Sequence, residues 1–151
     1  MKLAMTQAQE LQTIRFGPVS FKEEDIVEFP DGMPGFAKLR RFLLIESPDF
    51  QPFSFLQSVE EPSISFPLLP PQAVDSDYHF ELPKKDRRSL DLERPEEAAV
   101  FCIVTIDEDP SKATVNLFAP VVLNLPTRKA AQVILFNSSY STATPLLPES
   151  A

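Results

Sequence analysis

The sequence predicts a small, single-domain all-β fold, barrel-like and with little helix, and three observations point there. Sixteen prolines are spread along 151 residues, and proline is excluded from helix interiors. Apolar residues recur with period two, or in short unbroken runs, between turn signals. Thirteen phenylalanines in a chain that is 43% hydrophobic can fill a core between sheets. Many short strands with proline-rich turns read as a barrel or sandwich.

Taken in order, Ile14 and Phe16 alternate with polar neighbours, as do Val19 and Phe21, with a turn expected at Gly17-Pro18. Pro30-Asp31-Gly32-Met33-Pro34-Gly35 reads as a double turn in which glycine supplies positive φ. Gly32, Pro34, Gly35 and Phe36 are therefore assigned a structural role. A single helical turn is conceivable over 38–41. Phe42 to Ile45 and Val100 to Ile106 are continuous apolar runs, the pattern of strands buried on both faces. Phe53, Phe55 and Gln57 share one strand face. Ile64, Phe66 and Leu68 share another, where Pro67 calls for an edge or bulge.

From Ala113 to Leu125 every odd position is apolar, which predicts one long strand bent at Pro120. Ala131, Val133 and Leu135 predict a further strand. Lys84 to Leu92 is the best helix, bounded by Pro83 and Pro95. The domain is expected to occupy residues 1–141, with 142–151 as a flexible tail.

Charge and composition narrow the function. Acidic residues outnumber basic ones 22 to 14, for a net charge of −8. A nucleic-acid binder normally presents a basic stripe. Only Lys84, Lys85, Arg87 and Arg88 cluster here, and they read as a solvated helix face. Direct nucleic-acid binding is disfavoured, whereas a basic protein partner fits. No window approaches the ~20 apolar residues of a membrane span. The first ten residues have no apolar stretch behind Lys2, so no secretory leader is expected, and a lone Cys102 fits a reducing compartment. The expected location is the cytoplasm.

No catalytic, metal or cofactor site is predicted. One histidine, His79, and one cysteine, Cys102, cannot build the usual zinc set. Cys102 lies inside an apolar run and reads as a buried thiol. His79, between Tyr78 and Phe80, reads as a partly exposed strand residue without a catalytic partner. The acidic runs Glu23-Glu24-Asp25, Glu60-Glu61 and Asp107-Glu108-Asp109 sit at turns and lack calcium-loop spacing. Polar residues inside strands are more informative. Asn116 and Asn124 fall on the even face of the long predicted strand, about 27 Å apart if it were straight at ~3.4 Å per residue. They could share a protein interface but not a small-ligand site. Each could equally bond nearby backbone. Gln57-Ser58 poses the same choice.

These segments, in order, are similar to the FliW family of flagellar assembly factors. The matching pieces are Glu24-Asp25-Ile26 through Phe29, Gly32-Met33-Pro34-Gly35-Phe36, Phe42 to Ile45, and Pro52-Phe53 with Leu56-Gln57-Ser58. They continue through Pro62-x-Ile64-x-Phe66, Pro70, Asp77-Tyr78 and Val104-Thr105, and end with Asn116-Leu117-x-Ala119-Pro120, Asn124 and Gln132 to Leu135. His79 stands where the family pattern leads one to expect an acid. The resemblance implies a compact β fold, no enzymatic activity, and two alternative protein partners. These are flagellin and the translational regulator CsrA, whose repression of flagellin mRNA the freed factor relieves. On that basis Gln57, Ser58, Asp77, Tyr78, Asn116 and Asn124 are candidate partner-binding residues. A small-molecule or carbohydrate-binding β-barrel is the alternative, and would need aromatic residues around a deep cavity.

Overall fold

The computed structural model describes residues 8–147. It is an all-β molecule with one short α-helix. An antiparallel hairpin, β1 (Gln9–Thr13) and β2 (Gly17–Phe21), lies apart from the main sheet. The main sheet contains β3 (Ile26–Glu28), β4 (Arg41–Glu46), β5 (Ser54–Ser58), β6 (Ser65–Leu69) and β7 (Ala98–Thr105). It continues with β8 (Thr114–Val115), β9 (Val121–Asn124), β10 (Ala130–Gln132) and β11 (Thr144–Pro145). Between β6 and β7 lies α1 (Lys84–Ser89).

The strand order is β10-β9-β7-β6-β5-β4-β3, with β8 and β11 branching from the far end of β7. All named ladders are antiparallel. The sheet rolls until its two edges meet at one parallel bridge, Glu28 to Lys129. The amide of Glu28 donates to the carbonyl of Arg128 there, at 2.8 Å. Closure stops at that bridge, so the expected barrel is not closed.

Alternation across the pleat explains the unbroken apolar runs. Leu68 enters one core with Val121, Leu123, Phe42 and Phe29. Its neighbour Leu69 enters the other with Cys102, Val104, Val115 and Val122. Phe42 and Leu43 divide likewise, Leu43 packing with Phe21 and Ile26 under the hairpin. A sheet covered on both faces has no use for polar alternation. The phenylalanines interlock edge to face, as Phe29 on Phe42 at 5.1 Å and Phe16 on Phe55 at 5.1 Å. Such pairs contribute about 1 kcal/mol beyond area burial.

Several local expectations are corrected. Ile14 to Phe16 form the hairpin turn, not a strand, and Gly17 at φ +66° begins β2. Residues 38–40 form no helical turn, and β4 starts at Arg41. The long strand from 113 to 125 is two strands, β8 and β9, because Pro120 has no donor and the chain turns between them. Pro67 does lie in β6, just before the junction with β7 at Leu68 and Leu69, where the β7 side of the strand is open. His79 occupies a loop. The tail expected to be flexible from residue 142 contains β11, where Thr144 and Pro145 pair with Val115 and Thr114. The amide of Leu146 then donates to the carbonyl of Ala113. Residues 148–151 lie outside the described residues.

The glycine turn has a steric reason at Gly32. Its φ is +73°, and a Cβ there would lie 2.5 Å from the carbonyl oxygen of Ala37. Phe36 donates its amide to Met33 and packs on Phe66 at 5.7 Å, while Pro34 and Gly35 sit exposed at the tip. Gly32→Ala is therefore expected to destabilise the protein by on the order of 2 kcal/mol. Urea unfolding would show this as a lowered midpoint with an unchanged slope, and an unchanged midpoint would refute the steric account.

Candidate interaction surface

The six candidate residues fall in three places, and most are interior. Gln57 and Ser58 are 0% exposed. Gln57 lies opposite Leu43 on one side and Ser65 on the other. Its amide nitrogen donates to the carbonyls of Ser58, Pro62 and Ile64 at 3.0, 3.1 and 3.2 Å. Ser58 Oγ accepts from the amide of Glu61 at 2.9 Å. These side chains build the β5–β6 turn. What the turn presents outward is Glu60, whose carboxylate accepts from the amides of Arg40 and Arg41 at 3.2 and 3.1 Å, and Glu61.

Asn124 is 1% exposed at the end of β9. Its amide nitrogen donates to the carbonyls of Leu90 at 2.7 Å and Asp91 at 3.3 Å, and its oxygen accepts from the amide of Thr127 at 3.3 Å. One side chain thus fixes both the β9–β10 turn and the exit of α1, where Asp91 adopts φ +54°. Asp91 also pairs with Lys129 at 2.8 Å.

Tyr78, Asp77 and Asn116 gather in the third place. Tyr78 is buried, donates to the carbonyl of Leu117 at 2.9 Å, and stacks obliquely on Tyr140 at 4.5 Å. The Tyr140 hydroxyl in turn accepts from the His79 amide and donates to the His79 carbonyl, both at 3.1 Å. His79 Nδ1 lies 2.8 Å from the Asp77 carbonyl, to which it donates in the matching tautomer. Asn116 is half-buried, and its oxygen accepts from the amides of Phe118 and Ala119 at 3.1 and 3.0 Å. This closes the turn that Pro120 imposes.

Gln57, Ser58, Asn124 and Tyr78 are thus interior, and any part they play in partner binding runs through the surface they support. A side chain without exposed surface, its donors engaged by backbone carbonyls, shapes a partner surface without touching it. Of the six, only Asp77 is exposed.

The structure adds a feature that the sequence reading missed. The segment after β10 runs beside the Asn116 turn, with Val133 donating to Pro120 and Leu135 to Phe118. Val133 and Leu135 point into the core, so Ile134 and Phe136 face outward, 39% and 78% exposed. Phe136 meets Phe118 edge-on at 6.4 Å. The signal was present as an unbroken apolar run with only one face to bury. Elsewhere aromatic side chains fill the cores, and Tyr78 and Phe80 also line a cavity beside α1.

A family model described as FliW protein matches residues 10–146, nearly the whole chain. The chain belongs to the FliW family. It is 41% identical over 136 residues to the flagellar assembly factor FliW of Bdellovibrio bacteriovorus, covering 90% of this chain and 78% of that protein. The flagellar assembly factor FliW of Caldanaerobacter subterraneus subsp. tengcongensis is 36% identical over 141 residues, covering 93% and 94%. A crystal structure of the flagellar assembly factor FliW superimposes with a TM-score of 0.89 at 33% identity, over 95% of this chain and all of that one. The all-β architecture is thus that of a FliW protein.

The interior also sets the chemistry of the ionisable groups. Burial pushes the Cys102 thiol up to about 12, and the neighbouring Tyr78 hydroxyl offsets this only in part. Burial likewise raises the Tyr78 phenol, with the nearby Cys102 and Tyr140 adding to it. A nucleophilic thiolate is not populated near neutrality. Among the described residues no helix is long and apolar enough to cross a membrane.

Two outcomes follow for the FliW fold. Asn124→Ala removes three hydrogen bonds and leaves the Leu90 carbonyl without its partner, so a loss of about 2–3 kcal/mol is expected, with faster amide exchange across α1. Normal stability would mean that the amide is not the tether described. Since both groups titrate higher in the folded state than in the unfolded chain, the unfolded state releases protons first. Stability should therefore hold below pH 9 and fall as pH rises from about 9 toward 12. Thermal melts between pH 7 and about 11 test the direction, and a midpoint rising with pH would contradict it.

Proposed function

We propose that this chain is a non-catalytic cytoplasmic flagellar assembly factor that binds flagellin and, once free of it, captures CsrA. Repression of flagellin mRNA is thereby relieved. Kinship with flagellar assembly factors along nearly the full length supports this reading. The observation that carries the physical side is the distribution of charge. The net charge is −8, and the runs Glu23 to Asp25, Glu60-Glu61 and Asp107 to Asp109 all face outward. Among the described residues only Glu23 and Asp91 are in ion pairs, with Arg41 and Lys129.

An acidic body docked on an RNA-binding protein attracts that protein's cations and repels approaching phosphate. Neither effect needs a reacting group, and both weaken with salt over a Debye length of ~8–10 Å. Exchange between two partners is simplest where contacts are reversible and peripheral. The Asn116 turn, the half-buried Phe118 and the exposed Ile134 and Phe136 form an apolar patch of the kind that anchors protein contacts.

Calorimetry with purified flagellin and CsrA from the same cell tests the reading. Heat is expected with each partner, and with CsrA it should shrink as salt rises. No heat with either, well above micromolar concentrations, would remove the proposal. Phe136→Asp should weaken at least one partner by about tenfold or more while stability falls by no more than about 1 kcal/mol, the worth of the edge-on contact with Phe118. Undiminished affinity for both would exclude the patch as their contact.

A further inference from the structure

A cavity of about 680 Å³ lies not in the sheet interior but beside α1. Leu82, Leu92, Val100 and Val122 supply apolar wall. At its rim stand three cations, Lys84, Arg87 and Arg94, against one carboxylate, Glu81. A second depression, of about 480 Å³, shares Lys84, Arg87 and Leu92 with the first and adds Arg88 together with Asp91, which pairs with Lys129, and Glu93. Lys84, Arg87 and Arg88 are spaced three and four apart on α1, which places them on one helix face.

In a chain of net charge −8, this group is the exception, and its cations have no internal counterion. None of Lys84, Lys85, Arg87, Arg88 or Arg94 forms an ion pair among the described residues. The group is also held in place. Asn124 grips the Leu90 carbonyl at the exit of α1, and Leu90 and Leu92 are buried in the core. A short helix anchored at its end fixes the backbone from which these cations extend.

We propose that the cleft beside α1 is a docking site for an acidic peptide segment of a protein partner, its apolar side chains entering the cavity and its carboxylates meeting Lys84 and Arg87. Charge complementarity selects the occupant: guanidinium and ammonium groups beside an apolar wall favour carboxylates on an apolar chain. The volume suits a few apolar side chains, and two depressions sharing a wall suit a continuous chain. A nucleic acid fits less well. The Tyr78 ring is already stacked on Tyr140 at 4.5 Å and edge-on to Phe80 at 5.8 Å, which leaves no free aromatic face for a base. The site is independent of the acidic surface invoked above for CsrA.

Fluorescence anisotropy with the full chain and a dye-labelled synthetic peptide alternating Glu with Leu and Phe is the test. The comparison probes are the same peptide with Lys in place of Glu and a single-stranded oligouridylate. Binding is expected for the acidic peptide only, weakening about tenfold in Lys84→Glu/Arg87→Glu and falling at high salt. The milder Lys84→Gln/Arg87→Gln pair keeps good helix formers and should shift affinity in the same direction, so the outcome does not depend on the charge-reversed chain folding. No binding at on the order of 1 mM peptide, binding indifferent to both variants, or preferential binding of the oligouridylate would each overturn the proposal. The assay contains neither flagellin nor CsrA, so it succeeds or fails separately from the assembly-factor reading.

Discussion

A primary amide sealed inside a protein must place its donors on acceptors, and the surface of this FliW protein depends on two that do so against turn backbone. Gln57 gathers three carbonyls of the β5–β6 turn, and Asn124 gathers two at the exit of α1 while accepting from the β9–β10 turn. Both sit at strand ends, where ladder bonding stops and backbone groups would otherwise be orphaned. Turns usually solve this problem with water. Using a side chain anchored in a sheet transfers the rigidity of the sheet to the loop. The Gln57 carbonyl oxygen itself has no partner, so the three donated bonds dictate the orientation of that amide.

Placement of charge follows from this arrangement. The turn built by Gln57 and Ser58 presents Glu60 and Glu61, whereas the element tethered by Asn124 presents Lys84, Arg87 and Arg88. Buried neutral amides thus hold surface charge of opposite sign at separate positions on one rolled sheet. Segregated charge lets a binding protein orient a partner before contact. It also keeps Coulomb attraction within the molecule from cancelling the surface, as the scarcity of internal ion pairs requires. Such surfaces gain specificity and association rate more than raw affinity.

Much of the fold was legible because hydrophobic period is a local property. β4 to β7 appear in the sequence as runs or alternations, and an all-β class follows from proline spacing alone. What escaped depends on information that period two does not carry. Alternation from Ala113 to Leu125 persists through the turn at Asn116 to Pro120, since each half of the segment obeys the same rule on its own strand. Thr144 and Pro145 looked too proline-rich for a strand, yet an edge tolerates the missing donor. Ile14 read as a strand residue because its neighbours alternate, while the structure puts it at a hairpin tip, 79% exposed.

The candidate site was less legible, and for a definite reason. Asn and Gln inside strands attract notice because they are unfavoured there. An unfavoured residue reports only that some other group requires it, and sequence does not say whether that group is a partner or the chain's own backbone. For Gln57 and Asn124 burial decides in favour of backbone. The residues free to meet another molecule are those that looked ordinary: alternate members of an apolar run, Ile134 and Phe136, and cations on a helix read as merely solvated. In a small rolled sheet whose interior is filled from both faces, recognition is left to what the turns hold outward. On the proposed reading affinity and stability belong to different residues, exposed positions such as Phe136 serving the first and buried ones such as Asn124 the second.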